Sequence, residues 1–139
     1  MSIFVLETDM LSLFQRGNPA VEGHVLATLP SDLAIAVITV DEQLTGWYSF
    51  IRKAKQVDKL ALGYQRLAEM IPFLATFHVI AFDEPSIRRF ESLRKLKLNV
   101  RKMDLRIAAV VLEIGATLVT RNARDFKQVP GLTFVDWSQ

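Results

Sequence analysis

The stretch FVLETDMLSLF, residues 4–14, begins with three apolar residues and then places carboxylates at Glu7 and Asp9. An apolar run this short is typical of a strand that is buried on both faces of a sheet. The residues after it repeat apolar side chains at helical spacing, which predicts a helix over 9–15 with Asp9 as its N-cap. The stretch therefore predicts a strand that ends in an acid, followed directly by a helix.

We place this strand at 2–7, and similar segments follow it along the chain. Short apolar runs predict two more central strands at 33–38 and 117–120, and two outer strands at 77–82 and 132–137. Helical patterns occupy the intervening segments, at 19–29, 41–55, 58–75, 84–97 and 104–114. Strands that alternate with helices predict an α/β fold with a mostly parallel sheet of about five strands.

Two of these helices, 41–55 and 58–75, follow one another with no strand between them. They predict a helical hairpin beside the sheet. Pro72 is expected to end or kink the second helix, because proline lacks the backbone N–H and its ring clashes with the preceding turn.

The composition limits the class of protein and the kind of site. A chain of 139 residues suits a single domain, which we place at 1–139. The chain has no cysteine, which excludes disulfides, thiolate metal ligands and cysteine nucleophiles. No apolar window approaches the roughly 20 residues of a membrane span, and the first apolar run is too short for a signal peptide. We therefore expect a cytoplasmic protein.

Acids follow the predicted strands, where an open parallel sheet collects its ligands. Four of them could meet at one edge of the sheet: Glu7, Glu42, Asp104 and Asp125. Because like charges repel, such a cluster calls for a cation, and Mg²⁺ or Mn²⁺ is the natural choice for oxygen ligands. Structural explanations stand beside this one: Asp9 could be an N-cap or a direct metal ligand, Asp104 could be only an N-cap, and Asp41 a helix-start or surface acid.

Other chemistries have little support. His24 and His78 lie far apart and outside any HExxH spacing, and no glycine-rich phosphate loop is present. Ser12 lacks the GxSxG context of a hydrolase nucleophile. A phosphoacceptor signalling domain would need a lysine after its last strand, and FVDWSQ supplies none.

Basic residues cluster at 86–106, where eight Lys or Arg accompany two acids. Such a run is often only a solvated helix face. Its position beside the acids instead favours contact with the phosphates of a nucleic acid. The candidate phosphate contacts are Arg101, Lys102, Arg106, Arg121 and Arg124.

The segments FVLETDMLSLFQRGNP, ITVDEQLTGW, MDLRIAAVVLEIGATLVTRNARDF and VPGLTFVDWS together resemble a PIN-domain toxin of the VapC type from bacterial toxin-antitoxin pairs. The resemblance covers essentially the whole chain. It implies a three-layer α/β/α fold and a metal-dependent endoribonuclease site that hydrolyses RNA with a metal-activated water. Glu42, Asp104 and Asp125 match the family's acids, and the polar residues Thr8, Asp9, Thr120 and Asn122 would support them.

Glu7 departs from the family pattern, which has aspartate at this position as the first metal ligand. The extra methylene moves the carboxylate by roughly 1.5 Å. Glu7 would then bind metal poorly, in another rotamer, or only at a larger ion. The alternative interpretation is therefore an attenuated PIN domain that binds its antitoxin and RNA but cleaves weakly or not at all.

The family resemblance also implies partners. It implies a small antitoxin that wraps the toxin, and a homodimer. Trp47, Tyr48 and Phe50, in the predicted hairpin, are candidate partner contacts, and packing in the core is an equal explanation for some of them.

Overall fold

The computed structural model describes residues 2–139 and contains one five-stranded sheet, in which every pair of neighbouring strands is parallel. The strands are β1 (Phe4–Leu6), β2 (Leu33–Ala36), β3 (His78–Ile80), β4 (Thr117–Val119) and β5 (Phe134–Val135). Their order is β3-β2-β1-β4-β5, so β1 is central and β3 and β5 form the edges. All five predicted strands are confirmed, and the two that were predicted as outer strands form the edges.

Seven α-helices surround the sheet in the described part of the chain. They are α1 (Thr8–Gln15), α2 (Pro19–Leu26), α3 (Val37–Lys53), α4 (Val57–Ala75), α5 (Glu84–Arg94), α6 (Lys102–Ile114) and α7 (Ala123–Phe126), with a 3₁₀ turn at Pro30–Asp32.

Several helix boundaries differ from the prediction. Helix α3 begins at Val37, directly after β2, whereas the sequence predicted a start at 41. Glu42 consequently lies in the second turn of α3 and is not at its start. Helix α4 continues through Pro72 to Ala75, so the proline does not end it. The short helix α7 was not predicted.

The core is divided between the two faces of the sheet, because side chains alternate along each strand. Val5 packs on one face with Ile107 and Val111 of α6, whereas Leu6 packs on the other face with Met10 of α1 and other residues of that layer. Helices on both faces make the fold a three-layer α/β/α sandwich, as predicted. Among residues 2–139, no helix is long and apolar enough to cross a membrane.

The predicted helical hairpin is present as α3 and α4, which pack side by side. Gly63 of α4 lies where they meet: a Cβ at this position would come within 2.7 Å of the Ile51 side chain and 2.9 Å of the Phe50 ring. The absence of a side chain at Gly63 therefore allows the two helices to approach.

Candidate functional site: an acidic cavity at the carboxyl edge of the sheet

Three of the four predicted acids line one cavity of about 430 Å³ at the carboxyl ends of the central strands. Glu7 directly follows β1, Glu42 projects from α3, and Asp104 projects from the first turn of α6. The remaining lining residues are Thr8, Asp9, Arg101 and Asn122. The fold thus brings together acids that lie far apart in the sequence.

Glu7 is the N-cap of α1. Its Oε2 accepts a hydrogen bond of 2.8 Å from the backbone N–H of Asp9, and its Oε1 accepts one of 2.9 Å from the Thr120 hydroxyl. The prediction that Asp9 caps this helix is therefore wrong, since Asp9 lies inside the first turn and is exposed. Thr120 is buried beside Glu7, as a supporting residue should be.

Burial also changes the acidity of Glu7, whose residue surface is only 5% exposed. Removal from water raises the pKa of Glu7 to about 7, although the hydrogen bonds from Asp9 and Thr120 oppose the rise. Nearby Asp9 and Asp104 add a smaller repulsion. Near neutral pH, with no cation beside it, this carboxyl is therefore partly protonated.

Glu42 is held by α1. Its Oε1 accepts a short hydrogen bond of 2.6 Å from the Thr8 hydroxyl, which also lies 3.2 Å from the hydroxyl of Thr39. Burial raises the pKa of Glu42, and the bond from Thr8 partly offsets that rise. Thr8 therefore orients an acid on a different helix.

Asp104 is almost fully enclosed and forms an ion pair with Arg101. The Nε and Nη2 atoms of Arg101 donate to the two oxygens of Asp104, each at 3.1 Å. Arg101 Nη2 also lies 3.8 Å from Glu42 Oε2, so one cation neutralises two acids. The N-cap of α6 is Arg101, and the alternative in which Asp104 is only an N-cap is wrong.

Asp125 does not line the acidic cavity. It accepts a hydrogen bond of 2.9 Å from the side-chain amide of Asn122, and Asn122 itself faces the cavity. The backbone N–H of Asn122 donates to the Thr120 hydroxyl, which links this pair to Glu7. Asp125 is therefore linked to the acidic cavity through Asn122 and does not face it directly.

The predicted phosphate contacts occupy different environments. Lys102, Arg121 and Arg124 are exposed, and Arg124 Nε lies 3.5 Å from Asp125. The guanidinium of Arg106 instead packs over the rings of Phe82 and Phe90, and its Nε is buried without a hydrogen-bond partner in the described residues. Arg106 thus contributes to the packing between α5 and α6.

The basic run is also less charged than its sequence suggests. Three arginines of α5 pair with acids: Arg88 with Glu84, Arg89 with Glu113, and Arg94 with Glu91. Much of the segment is therefore a balanced, solvated surface. The ion pair between Arg101 and Asp104 was not predicted from the sequence. Their separation of three residues is the signal that could have indicated it.

The donor set suits a hard divalent cation, because carboxylate, hydroxyl and amide oxygens surround the cavity. Among residues 2–139, no group of three or more His, Asp or Glu side chains is arranged to hold a metal ion jointly. The oxygens of Asp104 face Arg101, and those of Glu7 accept hydrogen bonds from the protein. Mg²⁺ commonly uses one or two carboxylates and keeps several waters, so this cavity fits it.

No family model matches the chain. Ribonuclease VapC2 of Rickettsia felis is 28% identical over 139 residues, with 99% of each chain covered. Two solved structures have the same fold. The DNA-bound VapBC2 complex of Rickettsia felis has a TM-score of 0.76 at 26% identity and covers 97% of this chain and 98% of its own. The DNA-bound VapBC of Salmonella typhimurium has a TM-score of 0.80 at 22% identity and covers 99% of both chains.

Proposed function

We propose that this chain, a PIN-domain protein of the VapC type, is an endoribonuclease that acts as the toxin of a toxin-antitoxin pair. The observation that carries the proposal is the convergence of Glu7, Glu42 and Asp104 on one cavity at the carboxyl edge of the sheet. The likeness to VapC2 of Rickettsia felis over 99% of both chains supports the same activity. The substrate is RNA and the reaction is hydrolysis of a phosphodiester bond.

The proposed site works with Mg²⁺ or Mn²⁺, for which one or two of the carboxylates of Asp104, Glu42 and Glu7 would serve as ligands. When bound, such an ion supplies Lewis-acid stabilisation of phosphate charge and makes water a better nucleophile. Asp125 supports the site through Asn122 rather than from the wall of the cavity. We assign the metal on the chemistry of these oxygens.

The side chains around the acids keep them in position. Thr8 holds Glu42, and Thr120 together with the start of α1 holds Glu7, so the carboxylates do not have to reorganise when substrate arrives. Exposed cations beside the cavity, Lys102, Arg121 and Arg124, would bind the phosphates of the RNA. Phosphate contacts give affinity for RNA without reading its sequence.

A small antitoxin is the proposed protein partner, by likeness to the solved VapBC complexes. Of the three aromatic residues considered as partner contacts, Tyr48 is 42% exposed and is the most available. Trp47 and Phe50 are half-buried and pack edge to face, and Trp47 also packs against the core. A homodimer is proposed on the family resemblance alone.

An attenuated nuclease is the second candidate, and the placement of Glu7 favours it. Both oxygens of this carboxylate accept hydrogen bonds from the protein, which leaves it less free to bind an ion. In this form the protein would still bind RNA and antitoxin but would cleave slowly.

The test of the proposed function is cleavage of purified tRNA and ribosomal RNA with Mg²⁺, with Mn²⁺ and with EDTA. Attack by water should leave a 5′-phosphate and a 3′-hydroxyl, whereas attack by the RNA's own 2′-hydroxyl would leave a cyclic phosphate. Cleavage that persists in EDTA, or cyclic phosphate ends, would overturn the metal-dependent mechanism. If no RNA is cleaved under any of these conditions, the attenuated protein that binds RNA and antitoxin is the remaining candidate.

A further inference from the structure

A second groove lies on the sheet face that carries α1 and α4. It has a volume of about 340 Å³ and is lined by residues of α1, α3 and α4, among them Gln15, Arg16, Gln43, Trp47 and Arg66. No carboxylate lines this groove, in the part of the chain that the structure describes. It therefore differs from the acidic cavity in both charge and lining.

The groove is joined to the acidic cavity along α3. An intermediate depression is lined by Glu42, Gln43 and Trp47, so it shares Glu42 with the acidic cavity and the other two with the groove. Glu42 and Trp47 are five residues apart in the helix, which corresponds to about 7.5 Å along its axis. These shared residues connect the acidic cavity to the groove.

The side chains in the groove suit a single-stranded nucleic acid. Trp47 offers a half-buried indole ring, and bases of any sequence stack on aromatic rings. Arg16 and Arg66 are exposed cations. Arg16 has no ion-pair partner among the described side chains, whereas Arg66 pairs with the exposed Glu69 at 3.2 Å. Gln15 and Gln43 add amide donors and acceptors at the wall of the groove.

We propose that this groove is a subsite for a nucleotide flanking the cleaved phosphate, with its base stacked on Trp47 and its phosphates on Arg16 and Arg66. The inference rests on the proposed function, because an endonuclease must hold its strand beyond the reacting phosphate. The groove that runs past Arg88 and Arg89 of α5 also contains arginines, but these pair with Glu84 and Glu113, and the groove shares no lining residue with the acidic cavity.

Intrinsic fluorescence tests the stacking directly. The chain has two tryptophans, and Trp137 is only 4% exposed and stacks on His24. In Trp137→Phe the remaining emission comes from Trp47. A short single-stranded RNA, added in EDTA so that metal-dependent cleavage is prevented, should quench this emission in a saturable way. Binding of the RNA without any change in emission would overturn the stacking.

Variants of Trp47 then separate base stacking on its ring from its packing in the protein. Trp47→Leu keeps apolar bulk but removes the aromatic face, and we expect RNA affinity in EDTA to fall about tenfold. Trp47→Phe should recover most of that loss. Arg16→Gln and Arg66→Gln should each weaken binding and reduce its salt dependence. Arg88→Gln, on the opposite face of the sheet, is the matched control and should bind as the wild type does.

The remaining outcomes distinguish failure of the subsite from failure of the proposed function. If wild type and Trp47→Leu bind and cleave RNA equally, the subsite is wrong while the nuclease stands. If RNA affinity is unchanged in Trp47→Leu but affinity for the antitoxin falls, the groove is a protein-binding site and the subsite is again wrong. If the wild type neither binds nor cleaves RNA, the proposed function fails first and the subsite fails with it.

Discussion

The guanidinium of Arg101 donates one hydrogen bond of 3.1 Å to each carboxylate oxygen of Asp104. The Asp104 side chain is 4% exposed, whereas that of Arg101 is 68% exposed. A buried acid is thus neutralised by a cation whose side chain lies mostly in solvent. A divalent ion that binds Asp104 has to displace this cation or share the carboxylate with it.

Arg101→Gln should therefore bind Mn²⁺ more tightly than the wild type, by roughly three- to tenfold, since an ion pair whose cation is mostly exposed is worth little. Titration calorimetry in the absence of RNA measures this directly. Lys102→Gln is the matched control, because it removes a neighbouring positive charge that does not contact Asp104. Equal Mn²⁺ affinity in wild type and both variants would mean that Arg101 does not compete with the metal.

Replacing Glu7 with the shorter aspartate tests whether Glu7 lowers the rate of RNA cleavage. Glu7→Asp withdraws the carboxylate by roughly 1.5 Å. It then cannot reach both Thr120 and the backbone of Asp9 in their present positions. We expect RNA cleavage to rise, by up to about 10²-fold, as the carboxylate becomes available to the ion. Glu42→Asp makes the same change at an acid that Thr8 holds in the cavity, and it should lower the rate. No gain in Glu7→Asp would mean that Glu7 is already a competent ligand.

The raised pKa of Glu7 predicts a pH dependence of stability in metal-free protein. Its pKa is about 7 in the folded state against 4.5 for the exposed group, so the folded state binds the proton more tightly. The resulting contribution is fully present below pH about 4.5 and is lost as the pH rises through about 7. It amounts to about 3 kcal/mol.

Denaturant unfolding in EDTA across this range measures the free energy of unfolding. Glu7→Gln should flatten the profile, and its difference from the wild-type curve isolates Glu7 from Glu42, whose pKa is also raised by burial. Parallel profiles for the two proteins would contradict the assigned shift.

The packing of the hairpin makes a separate prediction about stability. Gly63→Ala should lower the free energy of unfolding by about 1–3 kcal/mol, because the added methyl group would meet Ile51 and Phe50 below contact distance. Gly46 lies inside α3 with no other atoms near its missing Cβ. Gly46→Ala is therefore the control and should be neutral or stabilising by up to about 1 kcal/mol. If both variants unfold at the same denaturant concentration, α3 and α4 do not approach at Gly63.

Much of the architecture was predictable because β1, β2 and β4 are short apolar runs and their alternation with helices leaves few topologies. The start of α3 was not predictable from sequence. The four residues 37–40 are all β-branched, and β-branched residues favour a strand by local preference. Tertiary packing overrides that preference here. Helix α7, with four residues, is too short to show a period.

The convergence of Glu7, Glu42 and Asp104 followed from their positions after predicted strands or at a helix start. What the sequence could not provide was the partner of each oxygen. Asp9 was the better N-cap by residue type, yet Glu7 caps α1 because the helix already begins at Thr8, and the Glu7 side chain accepts from the Asp9 N–H. Likewise Asp125 was grouped with the other acids, but its bond to Asn122 keeps it outside the cavity wall.

The most direct measurement is the cleavage of RNA by Asp104→Asn beside the wild type, with Mg²⁺ or Mn²⁺, after circular dichroism has shown that the variant is folded. Asp41→Asn is the matched control, because Asp41 is an exposed acid next to Glu42 that does not line the cavity. We predict that Asp104→Asn loses cleavage by roughly 10²-fold or more while Asp41→Asn keeps it. Undiminished metal-dependent cleavage by folded Asp104→Asn would contradict the proposed site.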